Sequence, residues 1–301
     1  MDGKAFVSLI QHFSLGDGPG IRTTVFFGGC HLHCGWCHNP ETCHQPAVQL
    51  MVYPIRCVGC GGCVRVCPTG AHRLEDGRHR FDRALCTACG ACAAACPAGA
   101  LTMTGQEMTL DEIMTHIEED VPFYDEKGGV TLSGGEPLLQ AEACRKLAQA
   151  CRERGISVLV DTTASLPYEV LEDIRPFVDV FYIDVKGVEE EACRRVTGGD
   201  LALVLDNITR LLAAGATVFA RVPVIPGYSE GEAYAEAMAR QLLPTGVRNV
   251  ALLPFHRLGS GKYEAMGLTY AYAHTAPPED ALMRRMAQIL TDFGFTVTVG
   301  D

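Results

Sequence analysis

The chain has 301 residues, of which 48% are hydrophobic and 20% charged, and its formal net charge is −11. This length and composition are typical of a globular protein with one or two domains. The negative charge argues against a nucleic-acid partner, which requires a basic surface. No apolar run approaches the roughly 20 residues of a membrane span, and the first residues lack the layout of a signal peptide. We therefore predict a soluble, cytoplasmic protein with no nucleic-acid or membrane partner.

The first predicted strand, TTVFF (23–27), runs into a stretch that holds three closely spaced cysteines. Cys30, Cys34 and Cys37 follow the pattern C-x3-C-x2-C, with no fourth cysteine at a matching interval. A structural metal site takes four protein ligands, whereas a catalytic site keeps an open position. The triad therefore indicates a metal centre with a vacancy for a small molecule. Cys43 is expected to be a loop residue, with a spare ligand as the alternative.

Two further cysteine runs, CVGCGGCVRVCP (57–68) and CTACGACAAACP (86–97), share the pattern C-x2-C-x2-C-x3-C-P. This doubled run is the signature of two [4Fe–4S] clusters, in which the fourth cysteine of each run ligates the other cluster. One predicted ligand set is Cys57, Cys60, Cys63 and Cys96, and the other is Cys86, Cys89, Cys92 and Cys67. A pair of zinc sites is the alternative, although zinc ribbons usually space their C-x2-C pairs further apart.

Beyond these runs the sequence alternates apolar strands with helices. Strands are predicted at 130–132, 158–160, 180–183, 217–225 and 249–255, and helices lie between most of them. One helix places Leu139, Ala143, Leu147 and Ala150 on one face, and the last helix stacks Leu282, Met286, Ile289 and Phe293. With strand 23–27 this gives six parallel strands, and an α/β fold with an incomplete (β/α)6 barrel. Cys144, Cys151 and Cys193 are predicted to be buried apolar residues.

Polar residues follow each predicted strand after the first or, in the strand 217–225, lie within it. They are Ser133 to Glu136, then Asp161 and Thr162, Asp184 and Lys186, Arg221, and His256. In parallel α/β barrels the carboxyl ends of the strands form the rim of the active site. The pattern therefore predicts one shared site, next to the cysteine triad.

Several stretches together resemble the glycyl-radical-enzyme activating enzymes of the radical S-adenosylmethionine (SAM) superfamily. They are DGPGIRTTVFFGGCHLHCGWCHNPE, TLSGGEPLLQ, VDTTA, YIDVKG, RVPVIPGYSE and LLPFHRLGSGKYEAMG, in the family's order along nearly the whole chain. The resemblance implies a radical SAM core at 1–46 and 105–301, interrupted by a ferredoxin-like 2[4Fe–4S] insert at 47–104. Two positions depart from the family pattern: Ala164 replaces a glycine, and Cys193 replaces a histidine.

The resemblance also implies a mechanism and a set of site residues. A cluster on Cys30, Cys34 and Cys37 chelates SAM and cleaves it reductively, and the resulting 5′-deoxyadenosyl radical takes hydrogen from a backbone glycine of a partner enzyme. Trp36 lies near the adenine with His38 beside it, and Gly134, Gly135 and Glu136 lie along the methionyl amino group. Asp184, Val185 and Lys186 contact the ribose and carboxylate, Arg221 and His256 complete the pocket, and Asp161 and Thr162 match the position of a monovalent cation.

The cofactors implied are three [4Fe–4S] clusters, one of them SAM-binding and two of ferredoxin type, together with SAM and a monovalent cation. The partners implied are a glycyl radical enzyme and reduced flavodoxin or ferredoxin as the electron donor. The family serves decarboxylases, diol or choline lyases, sulfonate lyases and dehydratases. An iron–sulfur electron carrier or a redox sensor without SAM chemistry is the alternative function.

The arginines between and beside the two four-cysteine runs suggest a docking surface for an acidic donor. They are Arg65, Arg73, Arg78, Arg80 and Arg83. Opposite charges would steer such an encounter. An ordinary solvated surface is the alternative, and a filled four-thiolate cluster adds about −2, which offsets part of the positive charge.

Overall fold

The computed structural model describes residues 1–43 and 47–300. Its strands, in chain order, are β1 (Lys4–Ser14), β2 (Arg22–Phe27), β3 (Gln49–Val52), β4 (His72–Glu75), β5 (Arg78–Phe81), β6 (Leu101–Thr104), β7 (Gln106–Thr109), β8 (Gly129–Gly134), β9 (Ser157–Thr162), β10 (Val180–Asp184), β11 (Val218–Val224), β12 (Asn249–Pro254) and β13 (Thr296–Val299). Its α-helices are α1 (Gly62–Val66), α2 (Ala91–Ala94), α3 (Leu110–Asp120), α4 (Ala141–Glu153), α5 (Tyr168–Ile174), α6 (Glu190–Thr197), α7 (Leu201–Ala213), α8 (Glu232–Leu242), α9 (Ser260–Met266) and α10 (Asp280–Asp292).

A nine-stranded sheet with the order β13-β12-β11-β10-β9-β8-β2-β1-β7 organises the fold. Its strands from β2 to β13 pair in parallel, and β1 pairs antiparallel with β2 and with β7. The sheet is open within the described residues, because β7 and β13 stand at opposite edges. The predicted α/β fold with an incomplete barrel is therefore confirmed.

All six predicted strands are present, as β2 and β8 to β12, and the sheet contains three more. Both faces of the central strands are buried, since the consecutive residues Val158, Leu159 and Val160 of β9 point to alternate faces and are each at most 1% exposed. The additional strands lie at the edges and carry a weaker signal. The sequence of β13 is TVTV, and none of its residues is buried. An apolar run is therefore a good indicator of the central strands and a poor one of the edges.

The helices bury one face each, with a correction at the start of α4. Ala143, Leu147 and Ala150 lie in the core as predicted, but Leu139 is 46% exposed because it belongs to the 3-10 turn Pro137–Gln140 that precedes the helix. Helix α3 begins at a capping box, in which the Thr109 hydroxyl accepts from the Glu112 amide and the Glu112 carboxylate accepts from the Thr109 amide. Such pairing gives hydrogen-bond partners to amide groups that would otherwise lack one at the start of a helix.

Three cysteines outside the clustered motifs are buried, as predicted: Cys144 and Cys151 in α4 and Cys193 in α6. The thiol of Cys144 donates to the Pro137 carbonyl at 3.0 Å. Burial raises the pKa of these thiols, so they remain protonated and act as small apolar side chains.

Residues 47–104, the cysteine-rich segment, form two small antiparallel sheets outside the large one, β3 with β6 and β4 with β5. The segment packs on α9, where Met51 joins Ala265 and Met266 in a buried cluster. In the part of the chain that the structure describes, no helix is long and apolar enough to cross a lipid bilayer.

Candidate active site

The loop after β2 carries the cysteine triad and is tied to three neighbouring elements. The Gly28 amide donates to the Phe6 carbonyl at 3.0 Å, and the His33 amide donates to the Thr197 carbonyl at 2.9 Å. From α9 the Tyr263 hydroxyl donates to the Cys37 carbonyl at 3.0 Å. These bonds fix the loop against β1, the end of α6 and the middle of α9, so the three sulfurs are held by several elements.

Glycines at the end of β8 let its backbone approach that loop. A Cβ atom on Gly134, which has φ +125°, would lie 2.3 Å from the Phe27 amide nitrogen. A Cβ atom on Gly135 would lie 2.2 Å from the Gly29 carbonyl oxygen. Any side chain at either position would therefore push the cysteine loop away from the sheet.

Glu136 holds the next strand end in place and does not line the cleft. Its fully buried carboxylate accepts from the Thr162 hydroxyl at 2.7 Å, and from the Thr163 amide and hydroxyl at 2.7 and 2.6 Å. It also accepts from the Leu138 amide at 3.1 Å. These four hydrogen bonds fix the turn after β9. That turn includes Ala164, whose φ of +49° is the left-handed conformation that the family's glycine adopts easily.

Asp161 lines the cleft between Ser133 and Arg221. Its Oδ2 atom accepts from the Ser133 hydroxyl at 2.9 Å and pairs with the Arg221 guanidinium at 3.0 Å. Its Oδ1 atom is buried and has no hydrogen-bond partner within the described residues. Burial raises the pKa of Asp161 to about 6, against the opposing attraction of Arg221. A buried carboxylate oxygen without a donor is a fitting ligand for a cation.

Asp184 and Lys186 form an ion pair at the end of β10. The Lys186 ammonium contacts the Asp184 carboxylate, and the two side chains are 14% and 22% exposed. Burial lowers the pKa of Lys186, but Asp184, Cys34 and Asp161 outweigh it, and the net direction is upward. Lys186 therefore stays charged beside the cysteine loop. Val185, between them, points into the core and is fully buried.

Aromatic and imidazole rings form a further part of the cleft lining. Trp36 is 6% exposed and stacks beside Tyr228, with ring centroids 5.1 Å apart. The rings of His38 and His256 stack at 4.0 Å, and His38 Nε2 lies 2.8 Å from the His256 carbonyl oxygen. Burial and the neighbouring His256 lower the pKa of His38 to about 4, so His38 is neutral and can donate to that carbonyl.

The triad cysteines differ in their surroundings. Burial raises the pKa of Cys30 to about 11 and that of Cys34 to about 12. The Cys43 thiol lies 3.8 Å from the Cys37 sulfur, and this hydrogen bond lowers the pKa of Cys37 to about 7. Cys43 follows the 3-10 turn Pro40–Thr42 in a loop, as expected, and it also lines the cleft.

One cleft of about 420 Å³ brings most of the predicted site residues together. Those lining it are Cys30, Cys34, Trp36, Cys37, His38, Gly134, Gly135, Asp161, Thr162, Asp184, Lys186, Arg221 and His256. Glu136 and Val185 lie behind the wall, and their assignment to SAM binding stays a prediction. The sequence interpretation omitted Lys262, which bonds to Asn39 and Glu41, and Tyr263. Both lie within the stretch LLPFHRLGSGKYEAMG, which could have pointed to them.

The cysteine-rich segment gathers its eight cysteines into two sets of four. One small cavity is lined by Cys57, Cys60, Cys63 and Cys96, and a second by Cys67, Cys86, Cys89 and Cys92. The fourth cysteine of each run thus joins the other run, which is the exchange that the doubled pattern predicts. All eight thiols are free. Thiolates in sets of four suit [4Fe–4S] clusters, as the triad suits a cluster with one open iron.

One of the five candidate docking arginines faces the core fold. The Arg83 guanidinium donates to the Leu50 carbonyl at 2.9 Å and to the Ala265 carbonyl at 3.1 Å. It therefore joins the cysteine-rich segment to the end of α9, the helix that also contacts the triad loop. Arg65, Arg73, Arg78 and Arg80 are exposed.

Comparison with known proteins agrees with this geometry. The model of the radical SAM superfamily matches residues 24–238. The benzylsuccinate synthase activating enzyme of Thauera aromatica is 42% identical, over 98% of this chain and 92% of its own. The chain belongs to the radical SAM superfamily and, within it, to the glycyl-radical-enzyme activating enzymes. Membership favours an enzyme over the alternative of an electron carrier or redox sensor.

Two further similarities extend this assignment. The choline trimethylamine-lyase activating enzyme of Oleidesulfovibrio alaskensis is 38% identical, over 99% of both chains. A solved radical SAM methyltransferase from Sphaerobacter thermophilus superposes with a TM-score of 0.51 at 17% identity, over 68% of this chain and 60% of its own. The second likeness concerns the fold alone.

Proposed function

We propose that this activating enzyme binds its catalytic cluster through Cys30, Cys34 and Cys37 and generates a glycyl radical on a partner enzyme. The observation that carries the proposal is the single cleft in which the triad faces the polar strand ends. When bound, the cluster supplies the electron that cleaves SAM. The residues of the chain hold and orient SAM and keep water from the reacting atoms.

Each wall of the cleft suits one part of SAM. The Asp184–Lys186 pair offers one acceptor for the ribose hydroxyls and one cation for the methionyl carboxylate. The Trp36 ring, with His38 and His256 nearby, offers an apolar surface for the adenine. Gly134 and Gly135 leave backbone room for the methionyl amino group, and Glu136 acts from behind by fixing the turn after β9.

A monovalent cation is proposed at Asp161, with Thr162 beside it. The support is the buried Oδ1 atom without a hydrogen-bond partner. Arg221 and Lys186 already surround the carboxylate with positive charge, so a singly charged ion suits the site better than a divalent one. Such an ion would help to hold the methionyl carboxylate near the triad.

The two four-cysteine sites are proposed to hold [4Fe–4S] clusters that pass electrons to the catalytic one. Reduced flavodoxin or ferredoxin is the proposed donor, docking on the exposed arginines Arg65, Arg73, Arg78 and Arg80. A reducing compartment such as the cytoplasm suits eleven thiolates that must remain free to bind iron. Replacing Arg78 and Arg80 by glutamate tests the docking surface: the donor-driven rate should fall and lose its dependence on ionic strength. An unchanged rate and salt dependence would exclude these two arginines.

The function is tested with the anaerobically reconstituted protein. About twelve irons per chain are expected from three clusters, whereas a count of about four would show that the two four-cysteine sites hold no clusters. With dithionite and SAM the protein should release 5′-deoxyadenosine and methionine, which a carrier or sensor would not do. Addition of the cognate glycyl radical enzyme should then produce a glycyl radical signal in electron paramagnetic resonance (EPR) spectra.

A further inference from the structure

Two histidines of the β4–β5 hairpin lie between the two four-cysteine cavities. His79 lines the cavity of Cys57, Cys60, Cys63 and Cys96, and His72 lines that of Cys67, Cys86, Cys89 and Cys92. His72 Nδ1 and His79 Nε2 are 2.8 Å apart, within hydrogen-bond distance. The two rings, called the histidine pair, therefore reach from one cavity to the other.

Packing holds the histidine pair in place. His72 is 2% exposed and stacks on Phe81 with ring centroids 4.8 Å apart and an interplanar angle of 25°. His72 faces Phe81 across the hairpin, and His79 faces Leu74, which also lines the first cavity. The hairpin thus fixes the orientation of both rings with respect to the cysteines.

The distances favour a hydrogen-bonded pair over a separate metal site. Ligand atoms of Cys63, His72 and His79 all lie within 4.8 Å of one another, which raises the possibility of a zinc ion. Zinc–nitrogen bonds of about 2.0–2.1 Å in tetrahedral geometry would hold two ligating nitrogens about 3.3 Å apart. The 2.8 Å separation of the facing nitrogens is shorter and is normal for a hydrogen bond. Cys63 also belongs to one of the four-cysteine sets.

Counting hydrogens shows what the histidine pair can offer. The 2.8 Å separation of the facing nitrogens requires one of them to donate and the other to accept. A neutral imidazole has one N–H group and one acceptor nitrogen. The bond inside the pair uses one N–H group, and one N–H group remains on an outer nitrogen. The pair therefore keeps one polar N–H group close to the cysteine sites.

We propose that the histidine pair links the two relay clusters and raises their reduction potentials. The proposal rests on the two-cluster loading proposed above. A cluster becomes more negative by one charge when it accepts an electron from the donor, and N–H dipoles near its sulfurs stabilise that reduced state. Because each ring lines a different cavity, a change in one ring is transmitted to the other site through the hydrogen bond.

The test uses His72→Phe, His79→Phe and the double variant in the reconstituted full chain, with EPR-monitored redox titration. Phenylalanine preserves the stacked ring and removes both nitrogens. The reduction equilibrium of at least one relay cluster should fall about tenfold, a shift of about 59 mV to more negative potential for one electron. The catalytic cluster should shift less, and each single variant should affect both relay clusters. His274→Phe, at an exposed position, is the control and should change nothing.

Iron analysis separates the outcomes. About twelve irons with unchanged potentials would overturn this proposal and leave the proposed function intact, whereas about four irons in the wild type would overturn both. Stoichiometric zinc that disappears in the variants would also overturn it. The phenylalanine variants could lose iron, and His79→Gln, which restores an N–H donor, then decides. Recovery of iron and of potentials close to wild type in His79→Gln supports the proposal. Loss of iron in this variant as well contradicts it.

Discussion

The triad site and the two four-cysteine sites use the same ligand atom in opposite surroundings. The triad opens into a cleft of about 420 Å³ that contains Asp161, Asp184, Lys186 and Arg221. The four-cysteine cavities measure about 20 and 10 Å³ and are lined mainly by apolar residues, glycines and the cysteines themselves. An open site with fixed charges can bind and orient a charged substrate, whereas the two small, mainly apolar cavities leave no room for one.

The two regions also differ in how they are built. The triad loop is held by the sheet, by α6 and by α9, so its geometry depends on residues distant in sequence. The four-cysteine sites are completed almost wholly by residues 47–104. Catalysis therefore depends on the whole fold, while the relay sites depend on local structure, and substitutions should separate the two.

The largest effect is expected from a substitution that removes one ligand of the triad alone. Cys34→Ala should abolish SAM cleavage and reduce the iron content from about twelve to about eight per chain, since the relay sites share none of its ligands. Iron analysis and 5′-deoxyadenosine release measure the two effects. The matched control is Cys151→Ala, a cysteine buried in α4 outside the cleft, which should keep both the iron and the turnover. Full turnover in Cys34→Ala would show that the chemistry occurs elsewhere.

A second, smaller effect is expected when a polar side chain of the cleft that is not a cluster ligand is removed. Asp184→Ala or His256→Ala should weaken SAM binding by about 10- to 100-fold, the range for losing one or two hydrogen bonds to a charged or polar ligand. Iron content should stay at the wild-type value. Equilibrium binding of SAM to the reconstituted protein is the measurement, and Asp206→Ala, on the outer face of α7, is the control. Unchanged affinity in both cleft variants would mean that the strand ends do not bind SAM.

Glu136→Gln tests whether Glu136 supports the cleft from behind or contacts SAM directly. An amide NH2 group would replace an oxygen that now accepts from Thr162, Thr163 or Leu138. The protein should lose about 1–3 kcal/mol of unfolding free energy, the cost of mispairing buried donors. Denaturant unfolding of the wild type and variant measures it. Unchanged stability together with a large loss of SAM affinity would instead make Glu136 a direct ligand of SAM.

The smallest predicted effect concerns the bond from α9 to the triad loop. Tyr263→Phe removes one hydrogen bond to the Cys37 carbonyl and should cost about 0.5–1.5 kcal/mol of stability. The iron content should be retained, because the ring still packs against Tyr270. Loss of the catalytic cluster in this variant would show that the loop depends on α9 more than its other bonds suggest.

The central strands and the grouping of the cysteines around two cavities agree with the sequence, because short-range signals determine both, while the ligation of clusters by these cysteines stays a prediction. Apolar runs mark the buried parallel strands, and the exchange of Cys67 and Cys96 follows from a repeated spacing. The position of Glu136 behind the cleft could not be predicted, since its neighbour Gly135 faces the cleft and only the turn at Thr162 and Thr163 reveals the direction of the carboxylate. The inward bonds of Arg83 likewise depend on α9, which is 177 residues further along the chain.

The central claim is that the triad site performs the chemistry and the four-cysteine sites only supply electrons. The most direct measurement is 5′-deoxyadenosine formation by the Cys60→Ala/Cys89→Ala variant with dithionite and, in parallel, with reduced flavodoxin. The account predicts that dithionite-driven turnover stays close to wild type, because a small reductant can reach the triad cluster, while flavodoxin-driven turnover is lost. Equal loss with both reductants, or equal retention with both, would contradict it.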